Sequence, residues 1–147
     1  MTFKIDSIAA HEYPQVVELW EASVRATHHF LAEADIQFFK PLILNEYLKA
    51  VQLSALRNSS NKMLGFLGIA DQKIEMLFVH PDARGKGVGK MLTAYAIQQC
   101  GADKVDVNEQ NEQAVGFYQH MGFVIVSRAE FDGLGKPYPI LSMQLEK

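Results

Sequence analysis

Only one cysteine, Cys100, occurs in the 147 residues, so no internal disulfide can form. That excludes the stapled frameworks of small secreted domains, and a reducing cytoplasm is the compartment expected. Long apolar runs are missing too, none approaching the roughly 20 residues of a membrane-spanning helix. The start, Met1-Thr2-Phe3-Lys4-Ile5-Asp6, lacks the apolar core of a secretory signal. Neither sign of charge dominates: 14 Lys and Arg stand against 17 Asp and Glu, a net charge of −3. The basic residues are not strung along one helix, so neither nucleic acid nor a membrane is an expected partner. No linker, repeat or low-complexity stretch interrupts the chain. Its length suits one domain, residues 1–147, with room for a substantial core.

Elements alternate along the chain. Phe3 to Ile8 reads as a first strand, and His11 to about Thr27 as a helix with Val16, Val17, Leu19, Trp20 and Val24 on one face. Phe30 to Val51 is expected to be helical with an interruption near Pro41, since proline disfavours a helical residue before it. Gln52 to Arg57 and Met63 to Ala70 form hairpin strands about the turn Asn58-Ser59-Ser60-Asn61. Lys73 to Val79, Val105 to Asn108, Phe123 to Ser127 and Ile140 to Leu145 are further strands. Together these predict an α/β (α+β) domain: a mixed, mainly antiparallel sheet flanked by helices.

The densest chemistry lies at Arg84-Gly85-Lys86-Gly87-Val88-Gly89-Lys90, after one apolar strand and before an apolar-periodic helix. Free N–H groups at a helix start, the helix dipole and three basic side chains suit a pyrophosphate. Glycines at 85, 87 and 89 let the backbone approach such a ligand. The bland alternative is a tight solvated turn. A Walker A loop is excluded, because Arg84 and Met91 stand where glycine and Ser or Thr are needed. A dinucleotide fingerprint from Gly85 fails at Lys90. The pattern R-x-x-G-x-G does fit, and it resembles the acetyl-CoA signature of the GNAT superfamily of N-acetyltransferases.

A second element agrees with the first. Asn111 can cap a helix in which Ala114, Val115, Phe117, Tyr118 and Met121 recur at helical spacing, with Gly122 as its stop. Asn111 to Phe123 is similar to the superfamily's N-x-x-A-x-x-[FL]-Y-x-x-x-G-F segment. The resemblance spans nearly the whole chain. It implies a splayed sheet with a pantetheine arm in the gap, acetyl-CoA as cosubstrate, and transfer to a primary amine in a ternary complex. The amine can belong to a protein lysine, an N-terminus or a small molecule. Another class of answer is a CoA-binding sensor that keeps the fold without turnover. No Ser or Cys sits beside a recognisable base, so no acyl-enzyme is expected.

The resemblance also assigns roles. Backbone N–H groups of Leu77, Phe78 and Val79 would polarise the thioester carbonyl. Asn111 would hydrogen-bond the pantetheine arm, beside its reading as a plain helix cap. Tyr118 matches the general-acid tyrosine, beside its reading as a core aromatic. Asp106 and Glu75 are rival general bases, each otherwise a solvated strand residue. Trp20 to Leu31, with Trp20, His28 and Phe30, is expected to wall the acceptor site. No metal is expected at His28 and His29, because adjacent residues diverge and no other ligand has the right spacing. Asp132 to Pro139 is a loop apt for a second wall or a dimer contact, with monomer and homodimer both open.

Overall fold

The computed structural model describes residues 2–146. Strand β1 (Lys4–Ser7) leads through a 3-10 turn (Ala10–Glu12) into α1 (Tyr13–Thr27). Pro14 sits in the first turn of α1, where its missing N–H costs nothing. Helix α2 (Glu33–Leu42) follows, then a wide π turn (Ile43–Tyr47) and a 3-10 turn (Leu48–Ala50). The interruption expected near Pro41 falls just after it: Pro41 and Lys40 are still helical, and α2 ends at Leu42. The bonding changes there, in the wide π turn.

Strands β2 (Gln52–Arg57), β3 (Met63–Ala70) and β4 (Lys73–Val79) form an antiparallel meander. Helix α3 (Val88–Cys100), β5 (Lys104–Asn108), α4 (Glu112–His120), β6 (Phe123–Ala129) and β7 (Ile140–Leu145) complete the chain. The 7-stranded sheet runs β1-β2-β3-β4-β5-β7-β6. Every pairing is antiparallel except β4 with β5.

Helices cover both faces, which is why β3 reads as one continuous apolar run and is buried along nearly its whole length. On one face Val16, Trp20 and Val24 of α1 and Ile36 of α2 pack against Leu53, Ala55 and Phe66. On the other, Val88, Leu92 and Ala96 of α3 meet Leu56, Leu67 and Ile74. Gly65 permits that second contact: a Cβ there would stand 2.8 Å from Val88 Cγ1 and 3.1 Å from the Phe78 carbonyl oxygen.

The sheet opens in its middle. Strands β4 and β5 pair only at Lys73 with Lys104 and Ile74 with Val105. The next residue, Glu75, has no partner on β3, whose register steps from Gly68 opposite Met76 to Ile69 opposite Ile74. Glu75 is therefore the extra residue of a β-bulge, which bends the strand and ends pairing. Beyond it β4 and β5 diverge, and the gap receives side chains from both helical layers.

Candidate active site

One cavity of about 320 Å³ occupies the gap, walled by β4, the loop before α3, the start of α4 and the end of α1. Its β4 wall carries unpaired backbone. The His80 N–H donates to the Leu64 carbonyl at 2.8 Å, and Phe78 lies opposite Phe66 on β3. Alternation along an antiparallel strand then turns the N–H groups of Leu77 and Val79 away from β3, toward the cavity. Phe78 spends its backbone on β3 and presents its ring instead, stacked on Phe66 with centroids 5.5 Å apart.

The segment expected to cradle a phosphate is assembled from a 3-10 turn (Pro81–Ala83) and the loop Arg84–Gly87. Gly85 and Gly87 have φ of 79° and 81°, the left-handed region that glycine adopts without strain. Gly87 caps α3, leaving the N–H groups of Val88, Gly89 and Lys90 at the head of a 13-residue helix. Gly89 is already helical, so only the first two glycines of the triplet are demanded by the turn. No side chain crowds the cradle: a Cβ on Gly85 or Gly87 would meet nothing within 4 Å. Arg84 donates to the Gln113 amide oxygen, tying the cradle to α4. Lys86 is exposed beside it. These donors and this open loop fit a pyrophosphate.

Helix α4 contributes the opposite wall. Asn111 caps it, its Oδ1 accepting from the Ala114 N–H at 3.2 Å. Tyr118 lines the cavity between Phe117 and Phe123, with ring centroids 5.2 and 5.7 Å away. It is 6% exposed, and burial pushes its phenol well above the ordinary tyrosine value, so it stays protonated at neutral pH.

A second, larger cavity of about 610 Å³ lies on the other side of β4. Trp20, Phe39, Tyr47, Met76 and Tyr138 give it apolar walls, and Glu75 and Asp132 give it carboxylates. The bulge turns Glu75 onto this wall. Loss of hydration raises its pKa above the usual carboxylate value, against a smaller downward pull from Lys73. The loop from Asp132 to Tyr138 forms a wall, folded by Asp132 Oδ1 accepting from Leu134 and Lys136 N–H groups at 3.0 and 2.9 Å. The Tyr138 hydroxyl donates to Asp35 and accepts from the Ala32 N–H, and Lys136 pairs with Asp35 at 2.8 Å. This latch to α2 was not legible in the sequence, where no spacing relates residues 35 and 138.

The two cavities share only His28 and Phe78. His28 is largely buried, with its ring centroid 5.3 Å from that of Phe30 and 6.1 Å from that of Phe78. Burial lowers its pKa to about 4, and neighbouring His29 adds to the effect. Phe30 bridges on to Tyr138 at 6.0 Å. Asp106 lines neither cavity. Lys73 Nζ donates to its Oδ2 at 3.0 Å and the Ser142 hydroxyl to its Oδ1 at 2.8 Å. Among the described residues no group of three or more His, Cys, Asp and Glu is arranged to hold a metal.

A glycine-rich turn at a helix head, beside a sheet splayed between β4 and β5 and with a second pocket across β4, is the layout expected of an acyl-CoA-dependent transferase. Residues 19–146 match the family model described as the acetyltransferase (GNAT) domain, and the chain belongs to that family of N-acetyltransferases. It is 38% identical over 143 residues, 97% of each chain, to the peptidyl-lysine N-acetyltransferase YjaB of Escherichia coli K12. The Salmonella typhimurium YjaB is 39% identical over 132 residues, 90% of each. The solution structure of apo YjaB from E. coli superposes with a TM-score of 0.88 at 37% identity, covering 98% of this chain and 97% of that one. The PaiA N-acetyltransferase of Thermoplasma acidophilum, solved with coenzyme A, shares the fold at a TM-score of 0.74 and 20% identity, covering 99% and 100% of the two chains.

Proposed function

We propose that this enzyme transfers the acetyl group of acetyl-CoA to the side-chain amine of a lysine in a protein, by direct attack in a ternary complex. The observation that carries the reading is the pair of cavities meeting at His28 and Phe78. One has the donors of a pyrophosphate cradle, and the other has apolar walls for an alkyl stem and a carboxylate for its ammonium. The names of the relatives above point to the same acceptor.

In this mechanism Arg84 and the N–H groups of Val88, Gly89 and Lys90 hold the pyrophosphate, and Asn111 holds the arm. The N–H groups of Leu77 and Val79 face the gap and stabilise negative charge on the thioester oxygen. Glu75 takes a proton from the ammonium, directly or through a water. Its raised pKa brings its basicity nearer to that of the group it must deprotonate. Tyr118 donates to the departing sulfur as the C–S bond breaks, and the proton shed by the attacking nitrogen as it becomes an amide restores the phenol. Burial keeps the phenol protonated, so it can donate a hydrogen to the thiolate as it forms. Asp106, already engaged by Lys73 and Ser142, holds β4, β5 and β7 together at the base of the gap.

The test is turnover of acetyl-CoA with lysine-containing peptides, α-amino acids with blocked side chains, and small polyamines, scored by free thiol. Lysine peptides are expected to be the best acceptors, with mass spectrometry placing the acetyl group on Nζ. Preferential turnover of a small amine would overturn the acceptor assignment. Binding of acetyl-CoA without thiol release from any amine would favour a sensor.

A further inference from the structure

We propose that His28 orients the attacking amine, its Nε2 lone pair accepting one amine N–H where the two cavities meet. The proposal rests on the reading that the larger cavity admits the amine. Of the two residues common to both cavities, Phe78 is apolar, which leaves His28 as the polar side chain at the junction.

A directed series of hydrogen bonds fixes which nitrogen carries the lone pair. The Thr27 hydroxyl donates its single hydrogen to the Ser23 carbonyl at 2.8 Å. Toward His28 Nδ1, also at 2.8 Å, Thr27 Oγ1 must then accept, so Nδ1 bears the hydrogen and Nε2 is bare. The only polar partner of Nε2 among the described residues is Asn111 Nδ2, at 3.4 Å. That contact is long against the ordinary 2.9 to 3.0 Å, so an amine N–H can replace it at little cost. The imidazole does not swing, because Phe30 and Phe78 flank the ring and Thr27 holds its far side. Burial keeps the ring uncharged at neutral pH, so it does not repel an incoming ammonium.

Once deprotonated, a primary amine has two hydrogens and one lone pair. Giving one N–H to a fixed acceptor removes rotational freedom and leaves the lone pair to face the thioester carbon. Misplacement of a reacting group by about 1 Å can cost on the order of a hundredfold in rate. No proton transfer to His28 is required.

Three variants separate orientation from packing. His28→Gln can place an amide oxygen near the position of Nε2, His28→Asn keeps a donor only near Nδ1, and His28→Phe keeps the ring alone. With a lysine peptide and saturating acetyl-CoA, the Phe and Asn variants are expected to lose on the order of a hundredfold in kcat. Acetyl-CoA affinity by calorimetry should be unchanged, and Gln should recover part of the rate. A folded Phe variant with wild-type kcat would overturn the proposal. So would a defect confined to acetyl-CoA affinity, because His28 would then only prop Asn111. Should the Phe variant fail to fold, Gln against Asn decides, and equal rates in those two would refute the role. Absence of turnover by the wild-type enzyme with every amine would instead overturn the acceptor reading on which this one rests.

Discussion

Glu75 and Met76 are consecutive in β4, yet both face the larger cavity, because Glu75 is the unpaired residue of a bulge opposite Gly68 and Ile69. In a regular strand neighbours point to opposite faces. One inserted residue thus ends the pairing with β5, opens the gap, and delivers a carboxylate to the larger cavity.

That geometry makes Glu75→Gln the first variant to measure. Near pH 7 the acceptor is almost wholly ammonium, and loss of the base is expected to cost on the order of a hundredfold in kcat/KM. The deficit should narrow as pH rises toward the amine's own pKa near 10, since solvent then supplies the free amine. Asp106→Asn is the matched control. Its ion pair with Lys73 is about one-third exposed on each side, so its loss should cost no more than about 1 kcal/mol of stability. Its pH–rate profile should follow the wild type. A Glu75→Gln profile parallel to the wild type at every pH would remove Glu75 as the base.

Tyr118→Phe tests the acid. The ring contacts with Phe117 and Phe123 survive the change, so the fold should hold while the donated hydrogen disappears. The expected fall in kcat is about tenfold or more, with acetyl-CoA affinity nearly constant. A variant that retains full kcat would leave Tyr118 as a core aromatic.

What was legible in the sequence followed from local chemistry. Glycines between a strand and a helix announced the tight turn at the head of α3, and Asn111 announced the cap of α4. The apolar face of α1 was read residue for residue. The bulge was not legible, because Lys73 to Val79 alternates well enough to pass for a regular strand. Its irregularity exists only in the register against β3. Gly65 carried a faint signal, a glycine within a strand, which marks close approach of another backbone or side chain. The engagement of Asp106 was hidden for a similar reason, since Ser142 lies far along the chain and faces Asp106 only across β5 and β7. Pro41 shows a local rule that is right only in the neighbourhood: α2 gives way to the π turn just past the proline, not before it.

The cradle itself is tested at Gly87, where φ is 81° and no protein atom lies within 4 Å of an added Cβ. Asparagine tolerates the left-handed region better than most residues, so Gly87→Asn should cost little acetyl-CoA affinity. Gly87→Asp has nearly the same shape but places a negative charge beside the pyrophosphate. Titration calorimetry should therefore show Asp binding acetyl-CoA far more weakly than Asn, with the gap shrinking as salt is raised. Equal affinities for Asp and Asn would mean that the pyrophosphate lies elsewhere.

His28 makes a prediction about stability that does not depend on turnover. Its pKa is about 4 in the folded protein, lowered by burial and by His29, against about 6.5 for an unfolded histidine. Between those values the unfolded chain binds a proton that the folded chain does not, so unfolding is favoured as pH falls. The neutral ring's contribution is complete above about pH 6.5 and is lost progressively toward pH 4. The Arg57 cluster adds its own loss at lower pH, because hydrogen bonds from Arg57 hold Asp6 and Glu12 below their ordinary values. His28→Gln removes the first component and leaves the second. Denaturant unfolding from pH 7 to pH 3 should accordingly show a shallower decline for His28→Gln than for the wild type down to pH 4, with the two curves parallel below it. Identical slopes across the upper window would show that His28 titrates alike in the folded and unfolded chain, and so that burial does not hold its ring neutral below pH 6.5.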